Sequence, residues 1–179
     1  MYPRETITQF DLFLADRGLR FEATVIGGTA LGLLGVSSRQ TRDCDVLYPE
    51  LPAEICEAAR AFAAARRSEG DALADEWFNN GPSALITNLP GGWEQRLQSA
   101  FEGRALTLHV LGRQELLMSK LFALCDRGID LQDCVALAPS ATELAEILPW
   151  LEKQDTNPEW PAHVRATLDD LRGRLAHGL

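Results

Sequence analysis

The chain has 179 residues, 46% of them apolar and 24% charged, with a net charge of −9. That length supports one domain, or one domain with a helical extension, and the apolar fraction excludes wholesale disorder. The acidic balance excludes a surface built to coat nucleic acid nonspecifically, because phosphate contacts need clustered Lys and Arg.

The first residues, MYPRETITQF, carry no apolar stretch behind a basic start, so they do not read as a secretory signal. Thr6-Ile7-Thr8-Gln9 has the form of a capping box. Ile7, Phe10, Phe13 and Leu14 follow at helical spacing, predicting a helix that Gly18 ends. Residues 22–26 are a short β-prone run that stops at Gly27-Gly28, and residues 29–34 read as a buried helix. The uncharged run 23–38 contains four glycines and is shorter than the roughly 20 apolar residues of a membrane span. These features predict a cytoplasmic protein with no membrane partner.

After a polar stretch comes Asp43-Cys44-Asp45-Val46-Leu47-Tyr48, whose opening alternates acid and apolar residues as a strand does. Residues 53–67 are alanine-rich and helical, with Arg66 and Arg67 suiting the helix C-terminus. Residues 83–87 are a strand candidate between turns at 79–82 and 90–92, and 105–111 (ALTLHVL) form a further predicted strand. From residue 114 the pattern is helical, over 114–125, 131–138, 141–151 and about 159–175, with Ser140-Ala141-Thr142-Glu143 as a second capping box. The expected fold is therefore α/β (α+β): a small mixed-sheet core over residues 1–112, followed by a helical segment over 113–179 packed on it. Cys44, Cys56, Cys125 and Cys134 form no CxxC pair, and three of them sit in apolar patterns, predicting buried free thiols. Trp77, Phe78 and Trp93 suit core or loop anchoring better than base stacking. Trp150 and Trp160 suit pinning the last helices together.

The chemistry concentrates between Val25 and Val46. A strand that runs into Gly27-Gly28 and then a helix lets backbone approach a ligand and offers N–H groups to phosphate. Residues i and i+2 of a strand share a face, so Asp43 and Asp45 point one way while Cys44 and Val46 point into the core. Two carboxylates beside such a turn suit Mg²⁺, which prefers one or two carboxylates plus substrate phosphate oxygens. Taken singly, a Gly-Gly is usually a turn and a DxD usually two solvated acids; their order and separation, with Arg39 and Thr41 ahead of the acids, point to a site.

The string IGGTALGLLG…SRQTRDCDV resembles the signature of the nucleotidyltransferase superfamily, of polymerase-β-like fold. It looks most like bacterial abortive-infection and minimal-nucleotidyltransferase toxin–antitoxin proteins. The likeness rests on Ile26-Gly27-Gly28 and on Arg39-Gln40-Thr41-Arg42-Asp43-Cys44-Asp45. It continues more weakly in Gly92-Trp93-Glu94-Gln95-Arg96-Leu97, Leu116–Leu121 and Arg127–Asp133. The resemblance implies transfer of a nucleoside monophosphate from an NTP to an RNA or protein hydroxyl, in a toxin–antitoxin setting. It also implies that Gly27, Gly28 and Thr29 cradle phosphates, that Arg39 and Thr41 orient the loop or contact phosphate, and that Asp43 and Asp45 hold Mg²⁺. Lys120, which interrupts the apolar stripe of its helix, would reach the triphosphate, and Asp133 matches the family's aspartate on the next helix. The plain structural alternatives are that Lys120 snorkels past the core edge, that Asp130 caps its helix and that Asp133 favours the helix's positive end.

The resemblance has one departure. Active relatives add a third carboxylate from a later strand, whereas Leu106-Thr107-Leu108-His109-Val110 has no acid. His109 shares a face with Thr107 and stands as a substitute base, against the alternative of an ordinary strand histidine. The departure, with the acidic charge, motivates a second reading: a catalytically degenerate binding partner such as an antitoxin, or a nucleotide sensor.

Overall fold

The computed structural model describes residues 1–177 and divides into two compact units, Met1–Gly112 and a second that begins at Arg113. The first is α+β. Helix α1 (Pro3–Ala15) leads into β1 (Phe21–Ile26), α2 (Gly27–Leu33), β2 (Cys44–Tyr48), α3 (Ala53–Ser68) and the two-residue β3 (Phe78–Asn79). Strands β4 (Gln98–Glu102) and β5 (Leu106–Val110) complete a five-stranded sheet of order β3-β2-β1-β5-β4. It is mixed: β1 is antiparallel to β2 and parallel to β5, β2 is parallel to β3, and β4 is antiparallel to β5.

Two of the elements read from the sequence take a different form, and strands β3 and β4 were not read at all. Helix α1 starts before the Thr6 box, because Pro3 occupies its first turn, where the missing N–H needs no partner, and Thr6 N–H already donates to Tyr2 carbonyl at 3.0 Å. Residues 83–87 are not a strand. They lie in a 3₁₀ helix, Ser83–Asn88, none of whose residues is buried, and Leu85 N–H turns back to Pro82 carbonyl at 2.9 Å. Without a neighbouring strand to share a ladder, that backbone satisfies itself locally.

The core of this unit is aromatic. Trp77 is fully buried, with ring centroids 5.0 Å from Phe10 of α1 and 5.5 Å from Phe62 of α3, and its indole N–H donates to Ala59 carbonyl at 3.0 Å. Trp93 and Phe78 are also buried, as anchors of core and loop. One charged group sits among these elements. Asp11 of α1 is only 4% exposed and accepts backbone N–H bonds from Arg104 (3.0 Å), Ala105 (2.8 Å) and Leu106 (2.8 Å), which form the β4–β5 turn and the start of β5. The turn fits so closely that a Cβ at Gly103 would lie within 2.2 Å of Asp11 Oδ1. Burial pushes the Asp11 carboxyl pKa up, but the three backbone bonds and the Arg104 charge outweigh it and hold it below its ordinary value.

The second unit is helical: α4 (Arg113–Arg127), α5 (Leu131–Leu137), α6 (Ala141–Leu151) and α7 (Trp160–His177). Ser140 and Glu143 form the expected capping box at the start of α6. Arg113 clasps the same Glu143 at 2.6 Å, and this pair with the Ser140 N–H lowers the Glu143 carboxyl to about 2. Trp160 donates its indole N–H to Leu151 carbonyl at 2.8 Å, and Phe122 meets both Trp150 and Trp160, so these rings tie α4, α6 and α7. Cys44, Cys125 and Cys134 are buried free thiols and Cys56 is half-buried. Burial raises Cys125 to about 11 and Cys134 to about 12. Among the described residues, no helix is long and apolar enough to cross a membrane.

Asp11→Ala strands buried N–H donors of the β4–β5 turn and should destabilise the first unit by about 3 kcal/mol at pH 7, measured by urea unfolding. Because the folded pKa lies below the unfolded value of about 4, this stabilisation is present above pH 4 and fades as pH falls through the folded value. The gap between wild type and variant should therefore narrow in acid.

Candidate active site

The turn between β1 and α2 carries the tightest geometry in the first unit. Gly27 has φ +73°, and a Cβ there would lie 2.7 Å from Asp45 Oδ2. A Cβ at Gly28 would lie 2.9 Å from Thr41 Oγ1 and 3.1 Å from its Cβ. Gly27 is therefore favoured by conformation as well as contact, and Gly28 by contact alone, since a bare α-carbon lets the turn lie against the second aspartate and the loop before it. Sheet register produces the approach: Ile26, immediately before the turn, pairs directly with Asp45 across the antiparallel β1–β2 ladder.

Two hydroxyls fix the loop that carries the acids. Thr29 Oγ1 donates to Asp43 carbonyl at 2.7 Å, and Thr41 Oγ1 donates to the same oxygen at 3.3 Å. Thr29 is buried, so its part in the site is to hold Asp43. Asp45 is half-buried between the fully buried Cys44 and Val46, as strand alternation requires, and Asp43, also half-buried, lies just before β2 and not in it. Burial pushes the Cys44 thiol pKa well up, Asp45 and then Asp43 add to the rise, and only the Thr29 hydroxyl acts against them.

A field that is negative next to a backbone turn suits a cation. Among the described residues no group of three or more His, Cys, Asp or Glu side chains is placed to hold a metal. The donor set is two carboxylates, which fits Mg²⁺ completed by substrate phosphate oxygens and does not fit a dedicated protein cage.

The remaining predicted residues lie apart from this cluster. Arg39 is exposed on the same loop, its N–H donating to Ser37 Oγ at 3.2 Å. His109 lies on β5, opposite Thr24, two residues along β1 from the Ile26–Asp45 pair. Strand spacing puts its Cα roughly 12 Å from that of Asp45. Its Nε2 pairs with Glu22 Oε1 of β1 at 2.8 Å. Glu22 escaped the sequence reading, although strand parity places it on the Thr24 and His109 face and would have found it.

In the second unit Lys120 is 5% exposed and does not snorkel out to solvent: its Nζ lies 2.7 Å from Asp133 Oδ2 and 3.4 Å from Asp130 Oδ1. Asp130 is the N-cap residue of α5 by position, yet its side chain makes no cap bond.

Gly18 and Gly27 have similar left-handed backbones, but a Cβ at Gly18 would meet nothing within 4 Å. Gly18→Ala should cost only the backbone term of about 1 kcal/mol, and Gly27→Ala that term plus whatever it costs the Asp45 carboxylate to swing aside. Urea unfolding of both variants isolates the contact; equal losses would show that the Gly27–Asp45 approach carries no energy.

The family described as "Nucleotidyltransferase of unknown function (DUF6036)" matches residues 5–138, three quarters of the chain. No curated protein and no solved structure matches the chain. The family match takes in nearly all of the first unit with α4 and α5, and leaves α6 and α7 outside it. With the glycine turn, both aspartates, Lys120 and Asp133 inside the matched stretch, the chain belongs to this nucleotidyltransferase family.

Proposed function

We propose that this protein transfers a nucleoside monophosphate from an NTP to a hydroxyl of RNA or protein, with Asp43 and Asp45 holding Mg²⁺. The observation that carries this reading is the contact of the Gly27-Gly28 turn with Asp45 and Thr41, which sets a phosphate-accepting backbone beside the Asp45 carboxylate, with Asp43 two residues before it on the loop that Thr29 and Thr41 hold. When bound, the metal supplies charge neutralisation at the phosphates. The chain's own groups do the rest. Backbone N–H groups after Gly27 receive phosphate oxygens, Thr29 and Thr41 hold Asp43 in place, and Arg39 lies exposed on the loop to meet a phosphate.

In the reaction the acceptor oxygen bonds to the α-phosphorus, the bridging P–O bond breaks, and pyrophosphate leaves with the electron pair. The acceptor proton goes to a base. His109, whose Nε2 pairs with Glu22 Oε1, is proposed for that task on the sequence reading alone. Lys120 joins the proposal as a triphosphate contact and Asp133 as its partner, on the strength of the signature resemblance alone. A toxin–antitoxin setting is proposed on the signature resemblance.

The acid-free β5 favours a second reading, a nucleotide-binding relative without turnover that acts as a partner protein or sensor. Labelled NTP, incubated with the protein and candidate RNA or protein acceptors, separates the two. Under the first reading label transfers, and Asp43→Ala or Asp45→Ala lowers the rate about 10³-fold, the effect of several kcal/mol of lost charge stabilisation. NTP binding without transfer selects the second reading. Mg²⁺-dependent NTP binding that survives loss of both aspartates sinks both.

The buried Lys120–Asp133 pair makes its own prediction. Lys120→Met leaves buried carboxylate uncompensated and should destabilise the second unit by about 3–5 kcal/mol, whereas Lys120→Met with Asp133→Leu should recover much of that loss. If the pair is only structural, the double variant binds NTP normally by calorimetry; if Lys120 meets phosphate, binding stays weak in a folded protein.

A further inference from the structure

A cleft of about 180 Å³ lies within the first unit and does not include either aspartate. One wall is a face of α1 bearing Glu5, Thr6 and Gln9; the other is Arg66 with Asp71 and Leu73 after α3. Gln40, from the loop between Arg39 and Thr41, also lines it, with Tyr2 at 56% exposure. Its volume is below the roughly 300–1,000 Å³ of pockets for drug-sized ligands, so it suits one ring system and not a nucleoside triphosphate.

Three observations converge on the chemistry of its occupant. Gln9 is half-buried in the lining, and its Oε1 is turned into the protein with no hydrogen-bond partner, an omission that costs about 1–3 kcal/mol and that rotation of the amide toward a donor in the cleft would relieve. Turning that amide would exchange a buried acceptor for a buried donor, and a nucleobase edge offers both. Charge then excludes an anion. The Arg66 fork is occupied by Asp71 (Nε, 2.7 Å) and Glu69 (Nη1, 2.7 Å), and Glu5 adds a further acid to the lining. Amides, a hydroxyl, the buried Leu73 and the exposed Tyr2 ring together suit a flat, uncharged, hydrogen-bonding group.

The cleft is also mechanically attached to the aspartates. Thr41 N–H donates to Met1 carbonyl at 3.1 Å, and the Met1 nitrogen donates to Thr41 carbonyl at 2.5 Å, so the segment leading to Tyr2 is strapped to the loop. Gln40 lines the cleft while its neighbour Thr41 packs on Gly28 and holds Asp43. We propose that this cleft binds an uncharged nucleobase at a site separate from the paired aspartates and steadies, through Gln40 and Thr41, the loop that positions Asp43. The proposal rests on the family and on this geometry; it does not require turnover.

Nucleosides without phosphate are the probe: adenosine, guanosine, cytidine and uridine, titrated by ligand-observed NMR against wild type, the Asp43→Ala/Asp45→Ala variant and Gln9→Leu. Removing a buried unpartnered polar group is neutral or stabilising, so Gln9→Leu should melt at or above the wild-type temperature. At least one nucleoside should bind wild type and the double aspartate variant alike. It should bind Gln9→Leu about tenfold more weakly, the loss of one hydrogen bond. Binding that disappears in the aspartate variant overturns the proposal by placing the base in the triphosphate site. Binding unchanged in Gln9→Leu, no binding by any nucleoside, or Gln9-dependent binding of arginine amide instead overturns it as well. A lowered melting temperature of Gln9→Leu also overturns it, because the amide would then have a partner in the free protein. Mg²⁺-dependent NTP binding, measured separately in the same variants, reports on the aspartates whatever the cleft does.

Discussion

The first unit depends on a carboxylate that has no part in its chemistry. Asp11 leaves α1, enters a nearly dry position and takes the N–H groups of Arg104, Ala105 and Leu106. A buried charge is tolerated only when its hydrogen-bonding capacity is met, and here three backbone donors meet it. The consequence is that α1 and the start of β5 cannot shift independently. Because β5 pairs with β1 over Phe21–Val25, the register of the strand leading to Gly27 is referred back to the same helix. The other end of α1 is fixed to the site as well. Arg4 donates to Leu33 carbonyl of α2, and Pro3 lies so close to Gly32 that a Cβ there would fall within 2.6 Å of it.

That rigid surround explains how a short glycine turn is held against two acids. Like charges at i and i+2 repel, and at the Cys44 thiol between them the two acids add to a pKa rise that burial causes first. The protein offsets the repulsion with geometry: two threonine hydroxyls grip the Asp43 carbonyl, and the β1–β2 ladder grips Asp45. The result is two acids beside a backbone turn, and Asp43 and Asp45 are the residues that would hold a divalent cation there under the proposed function. The net charge of −9 is compatible with the proposed function, which asks for a cation and a backbone turn and not for a basic surface.

The second unit uses charge differently. Its Lys120–Asp133 pair is dry, and Arg113–Glu143 lies at the start of α6, where the Ser140 capping box reinforces it. The Arg113 pair is partly solvated and contributes little net stability despite the low Glu143 pKa. The buried pair is different in kind: it adds modestly when intact and is severely damaging when half removed. A lysine kept in such a place carries a liability that an apolar residue would avoid, which is the physical ground for testing a ligand role.

By itself, the sequence determined the elements whose signals are local. Strands β1 and β2, helix α3, strand β5 and the α6 capping box are legible because periodicity, capping residues and prolines act over a few neighbours. The Gly27-Gly28 turn and the Asp43/Asp45 pair were legible for the same reason, as short patterns with a physical purpose. Only the tertiary structure decided what those patterns touch. Strand β4 went unread because QSAFE is an edge with no buried residue and no alternation, and β3 because two residues carry no period. Asp11 read as one more acid on a helix; its role exists only because residues 93 to 95 positions later return to it. The Glu22–His109 pair and the Lys120–Asp133 pair likewise arise from strand register and helix packing. Local patterns set conformations, whereas contacts between distant residues follow from how those conformations pack, and no window of sequence contains that information.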